Sequence, residues 1–319
     1  MINLAKELEN VQTIGIGGHL RPDGDCFGST MGLYLYIKKN FPDKEVHIFN
    51  EPAEEIFFCI KDIEMIEDPD KFTGSLDCFF ALDCGKDRLG NSEKVFDRAA
   101  KKINIDHHIS NSGTGDVNYI VPDASSASEL VFDILDADKM DKDIALALYI
   151  GIIHDTGVLR YSNTSPKTLR IVADLISYGF DFPKLIDETF FEKTYLQTQI
   201  MGRALTESFL MMDGKVSVCQ VDRKTMDFYE AKPSDLDGIV NQLRLISGVE
   251  VGIFMYQLPS RAYKVSLRSK SVIDVAKVCE IFGGGGHKRA AGCIVNERFY
   301  DVVNNLTAEI EKQFKALGQ

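Results

Sequence analysis

The sequence predicts a two-domain α/β protein, with an N-terminal domain built on a mostly parallel sheet and a smaller C-terminal α/β domain. Three observations carry this expectation. The chain has 319 residues, more than one ordinary compact domain and enough for two cores. Its first half alternates short apolar runs with amphipathic stretches, the pattern of βαβ units. From Lys215 the pattern becomes strand-rich and leads into the glycine run Gly283-Gly284-Gly285-Gly286.

The elements follow in order. Residues 11–16 read as a buried strand, and 27–39 carry helical spacing through Met31 and Leu35. Strands are expected at 45–49, 76–82 and 102–105, and helices at 128–135 and 144–153. A mixed, helical stretch near 180–209 connects the domains and supplies a hinge. The second domain has strands at 215–221, 249–257 and 263–267, with helices at 233–246 and 272–281. The expected division is a metal-binding domain over 1–185, a connector over 186–206 and a substrate-binding domain over 207–319, with a cleft between the two domains.

Composition narrows the function. A hydrophobic content of 45% and a charged content of 26% are those of a globular chain, and no run approaches the ~18 apolar residues of a membrane span. Met1 to Val11 lacks the basic-then-apolar layout of a signal peptide, so a cytoplasmic location is expected. Seven scattered cysteines, none in a C-x-x-C pair, read as reduced core thiols rather than a zinc site. A net charge of −12 argues against tracking a long duplex, which demands many cations. It leaves room for a small anionic substrate held by metal ions and a few local cations.

Metal-ligand chemistry falls at three strand ends. His19-Leu20-Arg21-Pro22-Asp23-Gly24-Asp25 follows the first strand, Asp83 the third, and Asp106-His107-His108 the fourth. Carboxyl ends of parallel strands share one edge, so distant segments can converge there. Asp155 follows the apolar helix. Carboxylates and imidazoles without thiolate suit Mn²⁺ or a similar divalent ion. Two such ions resolve the repulsion among the acids and are the usual apparatus for phosphoryl hydrolysis. Taken singly, Asp23 and Asp25 read as turn formers and Asp83 as a helix cap. His154 reads as a packed histidine and His47 as structural. In the second domain, Gly285, Gly286, His287 and Arg289 lie in a glycine run followed by cations, where backbone amides approach a phosphate closely. Arg268-Ser269 ends a strand, where a guanidinium can clamp a phosphate.

These motifs resemble those of the DHH/DHHA1 phosphoesterases, in particular the branch of nanoRNases and pAp phosphatases. His19-x-x-Pro22-Asp23-Gly24-Asp25 with Gly28-Ser29, then Asp83, Asp106-His107-His108 and Asp155-Thr156-Gly157 are similar to the four motifs of the first domain. The His287 segment resembles the DHHA1 signature. Cys26, where that branch commonly has Ala, and the loosely matching Ser125–Glu129 depart from the pattern. The resemblance implies that His19, Asp23, Asp25, Asp83, His107 and Asp155 bind two metals. It implies that His108 faces the phosphate and that Asp106 orients the histidines. Arg268, Ser269, Gly285, Gly286, His287 and Arg289 would hold the rest of the substrate. It further implies hydrolysis of nanoRNA, pApA, cyclic di-AMP or pAp to mononucleotides, with a homodimer as a possible assembly. A family II pyrophosphatase, a RecJ-type exonuclease and a non-catalytic nucleotide sensor are the competing readings. The glycine-rich His segment, the chain length and the intact ligand set, respectively, disfavour them.

Overall fold

The computed structural model describes residues 2–318, which form two compact units. The first extends to Glu192 and the second begins at Lys193. That boundary falls inside the stretch expected to connect the domains. Phe182–Ile186 belongs to the first unit, and Tyr195–Thr206 buries Ile200 and Ala204 in a core of the second.

The first unit is a five-stranded, all-parallel sheet of order β2-β1-β3-β4-β5. Its strands are β1 (Thr13–Gly17), β2 (Glu45–Phe49), β3 (Cys78–Leu82), β4 (Lys101–Asp106) and β5 (Val117–Ile120). β3 reads CFFAL and is buried along its whole length, as a parallel strand covered on both faces should be. Phe79 stacks on Phe49 with ring centroids 6.1 Å apart and meets Phe96 edge-on, a cluster whose truncation to Ala costs about 3–5 kcal/mol. The edge strand β5 is not among the sequence expectations. It has four half-buried or exposed residues and no apolar run to announce it.

Helix Gly24–Asn40 leaves the β1 loop and crosses helix Lys142–Asp155. The crossing is close because it is made of glycines: a Cβ on Gly28 would lie 2.6 Å from the Ala147 carbonyl oxygen and 2.7 Å from Gly151 Cα. Helices Ala127–Ile134 and Pro166–Ile176 pack beside this pair.

The second unit is a six-stranded mixed sheet of order β10-β11-β9-β8-β7-β6, in which only β7 and β8 run parallel. Its strands are β6 (Phe209–Met211), β7 (Val216–Val221), β8 (Val251–Gln257), β9 (Tyr263–Ser269), β10 (Gly285–His287) and β11 (Ala290–Val295). Helices Val275–Ile281 and Phe299–Ala316 cover it. Pro233–Leu236 is a single 3-10 turn, so the helix expected there starts later, at Ile239, after Gly238 with φ 90. Half of the glycine run is strand. β10 hairpins onto β11, and a Cβ on Gly284 would lie 2.3 Å from the Gly292 carbonyl oxygen.

Candidate metal centre

The carboxyl edge of the first sheet gathers every donor expected of it. His19 lies two residues beyond β1, Asp83 directly after β3, Asp106 ends β4, and His107 and His108 follow it. Asp25 is in the first turn of Gly24–Asn40, and Asp155 is the last residue of Lys142–Asp155. Asp83 has φ 59, an uncommon backbone conformation for a residue with a side chain, and its N–H is tied to the Ile105 carbonyl at 3.0 Å.

Two donor triplets meet at Asp83. In one, His19 Nε2 lies 3.2 Å from Asp83 Oδ2 and 3.7 Å from Asp23 Oδ1. In the other, His107 Nε2 is 3.8 Å from Asp25 Oδ2 and 3.6 Å from Asp155 Oδ2. The same nitrogen is 3.4 Å from Asp83 Oδ1. Within each triplet the donor atoms fall inside 4.8 Å, close enough for one ion. Asp83 is 2% exposed, and its Oδ1 is buried without a hydrogen-bond partner. An oxygen left so, 3.4 Å from His107 Nε2 and 3.5 Å from His108 Nδ1, suits a cation; oxygen and imidazole donors together suit a divalent metal.

The electrostatics agree. Burial pushes the Asp25 carboxyl well above its usual range, and Asp83 and Asp155 push it further. Asp155 rises to about 6, chiefly through burial and then through Asp83 and Asp23, against the opposing effect of His107. Burial alone would lower His19, but Asp23 and Asp83 hold it up at about 10. His107 likewise stands at about 10 because Asp83, Asp25 and Asp155 outweigh its burial. Mutual repulsion of this size is what a bound cation removes.

Backbone and amide groups hold the donors in place. The N–H groups of Ala127 and Ser128, at the start of Ala127–Ile134, donate to the two Asp25 oxygens at 2.6 and 2.9 Å. A helix N-terminus thus clasps a buried carboxylate. Ser125–Glu129, only loosely similar to the family pattern, takes part in the site through this clasp; its S-x-x-E pattern at 126–129 signals the helix start, with Ser126 as cap. Asn163 Nδ2 reaches the Ser125 carbonyl at 2.8 Å, the Asp155 carbonyl at 3.1 Å and Asp155 Oδ2 at 3.5 Å. No sequence signal marks Asn163. It is returned to the site by Gly157, Val158 and Leu159, three consecutive residues with φ near 60 (56, 57 and 60).

Asp106 is fully buried and accepts from the N–H groups of His107 and His108 at 2.7 and 3.0 Å, from His108 Nδ1 at 2.8 Å and from Asn111 Nδ2 at 2.6 Å. This bonding places the His108 proton on Nδ1 and leaves Nε2 toward Arg88 Nη1, 3.4 Å away. Arg88 is a cation beside the centre that the sequence reading did not single out. Asp23 does two things: its Oδ1 caps Gly24–Asn40 through the N–H groups of Asp25 and Cys26 while lying near His19. His154 is packed, bonding Thr189 Oγ1 at 3.0 Å between Phe57 and Phe190. His47 pairs with Glu67 at 2.7 Å, away from the centre.

In the second sheet, His287 pairs with Ala290 and Ala290 with Arg268. Directly paired residues of antiparallel strands point to one face, so His287 and Arg268 flank Ala290 about 10 Å apart. Gly285, Gly286 and His287 are exposed. Arg268 Nη1 bonds the Leu267 carbonyl, and Arg289 Nη1 the Ile273 carbonyl, each at 3.0 Å. Ser269 is buried, its hydroxyl donated to the Ile273 carbonyl at 2.7 Å.

Comparison with known proteins agrees with this architecture. The family model for the DHH family N-terminal domain matches residues 13–152, and that for the DHHA1 domain matches 213–316. A Streptococcus mutans protein named probable bifunctional oligoribonuclease and PAP phosphatase NrnA is 30% identical over 319 residues, covering 95% of this chain and 97% of that one. The Bacillus subtilis bifunctional oligoribonuclease and PAP phosphatase NrnA is 26% identical, covering 97% and 96%. Among solved structures, an exopolyphosphatase-related protein from Bacteroides fragilis superposes with a TM-score of 0.89 at 24% identity, over 99% of this chain and 96% of that one. Exonuclease RecJ bound to manganese superposes with a TM-score of 0.52 at 14% identity, over 96% and 92%.

Fold, donor set and relatives define a metal-dependent phosphoesterase. The chain belongs to the DHH/DHHA1 family, and its relatives make it NrnA-like. Among the described residues no helix is long and apolar enough to cross a membrane.

Proposed function

We propose that the chain is a two-metal phosphoesterase of the cytoplasm that cleaves short oligoribonucleotides and small nucleotides of the pAp, pApA or cyclic di-AMP kind to mononucleotides. The observation that carries this reading is the pair of donor triplets meeting at Asp83. The names of its relatives support the substrate class, as does a 25% identical Listeria monocytogenes protein named cyclic-di-AMP phosphodiesterase PdeA, of which this chain spans 43%. Manganese in a RecJ of the same fold favours Mn²⁺.

His19, Asp23 and Asp83 would hold one ion, and Asp25, His107 and Asp155, with Asp83 beside them, would hold the other. Bound there, divalent ions supply positive charge to phosphoryl oxygens and acidify water. The chain's own groups do the rest. Asp106 fixes the His108 ring so that Nε2 is presented to the phosphoryl oxygens or the leaving group. Arg88 adds charge beside it. Arg268, His287 and Arg289 bind a second phosphate or the backbone of the substrate, with Gly285 and Gly286 offering N–H groups. Ser269 braces that strand end from the buried side.

Purified protein with Mn²⁺, given nanoRNA, pApA, cyclic di-AMP, pAp and pyrophosphate in parallel, is expected to release mononucleotides and to stop on chelation. Release of phosphate from pyrophosphate with all nucleotides intact would overturn the proposal. The DHHA1 match over 213–316 already counts against that pyrophosphatase reading.

A further inference from the structure

In the strand order β2-β1-β3-β4 the connections leaving β1 and β3 run in opposite directions, which puts the switch point between them. In open α/β sheets the crevice beyond such a switch point is where ligands bind. A cavity of about 630 Å³ opens there, lined by His19 and Leu20 after β1, Asn50 and Pro52 after β2, and Leu89 and Asn91 after β3. Its size is that of a small-molecule site. Phe49, Ile66 and Pro69 add apolar surface. His19 is thus both a donor of the metal centre and a wall of this cavity.

The charge of the lining selects what can enter. Glu51, Glu67, Asp68 and Asp70 outnumber the lining cations Lys71 and His19, and His19 is already paired with Asp83 at 3.2 Å. Asp68 is paired with Lys71 at 3.3 Å and Asp70 with Lys94, while Glu67 bonds His47 at 2.7 Å and Glu51 accepts the Arg21 N–H at 2.7 Å. The balance remains negative, and a phosphate placed here meets repulsion. An uncharged group with flat apolar faces and N–H or O–H donors meets none. A nucleobase and its ribose have that chemistry.

We infer that this cavity takes the nucleoside moiety attached to the phosphate held at the metal centre. The inference rests on the proposed phosphoesterase reading and makes it narrower. The enzyme selects nucleotides over inorganic phosphoanhydrides because only nucleotides have an uncharged group to fill the cavity.

Titration calorimetry on the full chain with Mn²⁺, using AMP and inorganic phosphate as probes, tests it. AMP is expected to bind at least about tenfold more tightly than phosphate. Asn91→Trp and Pro52→Trp, both at exposed positions that fill the cavity, should each weaken AMP about tenfold while phosphate affinity stays within twofold. Retained phosphate affinity reports an intact centre. Equal affinities in the wild type, or unchanged AMP affinity in both variants, would overturn the inference. The measurement reads binding alone. A failure of the hydrolytic proposal would appear separately, as AMP binding without turnover of any dinucleotide.

Discussion

The two sheets carry their chemistry at edges of opposite character. At the carboxyl edge of the parallel sheet the donors are buried: His19 is 5% exposed, Asp25 1% and Asp83 2%. They come from four separate segments, and backbone N–H groups or side-chain amides hold them at fixed positions. At the outer edge of the mixed sheet Gly285, Gly286 and His287 are exposed on a strand of three residues. The contrast has a physical origin. Closely spaced acids need desolvation and rigid placement to favour a cation over water, whereas phosphate contacts from guanidinium and imidazole work at a wet surface.

The comparison can be broken from either side, and the largest effects belong to the buried edge. Asp83→Asn removes a carboxylate that belongs to one triplet and lies 3.4 Å from the His107 nitrogen of the other. Turnover should fall roughly a thousandfold, and calorimetry should show weakened Mn²⁺ binding at both positions. Tight binding of two ions by this variant would remove Asp83 from the centre. Next comes Asn163→Ala, which unties Asp155 from the Ser125 loop and should weaken Mn²⁺ about 10–100-fold. Asn163→Asp should do no better, since its oxygens would face two carbonyls and a carboxylate. An unchanged affinity in the Ala variant would make Asn163 merely structural.

Changes at the exposed edge should be smaller and of another kind. Arg268→Ala is expected to raise KM for a dinucleotide about tenfold with kcat nearly intact, the mark of lost binding common to ground and transition states. A fall in kcat alone would tie Arg268 to the chemical step instead.

The smallest effect concerns stability. Burial raises the Glu129 carboxyl, but hydrogen bonds from Ser125, Thr168 and Lys167 outweigh it and hold the group below its usual range. A depressed carboxylate stabilises the fold above its unfolded pKa of about 4.3 and loses that contribution as pH falls through the folded value. Glu129→Gln should therefore lower the urea midpoint at pH 7 by the equivalent of about 1 kcal/mol, and by less at pH 4. A difference that grows on acidification would reverse the assigned sign.

Much of this molecule is legible in the chain. β1 and β3 announce themselves as apolar runs because both faces of a parallel sheet are covered, and donors follow where those runs and β4 stop. Short edge strands such as β5, β6 and β10 leave little trace, since three or four residues with one face open carry no period. Helix Phe299–Ala316 is a different case: Val302, Val303, Leu306, Ile310 and Phe314 recur at helical spacing, a signal that was there to be read.

By itself, then, the sequence determined which residue types stand at which strand ends, because the period of burial is local and the donors follow it directly. Only the tertiary structure decided which Asp83 oxygen faces which imidazole, that helix Ala127–Ile134 clasps Asp25, and that Asn163 joins the two segments carrying Asp25's clasp and Asp155. Those contacts span up to 103 residues of chain. They depend on how closely glycine-lined helices approach and on a left-handed turn after Asp155, and neither has a local period from which it could be read.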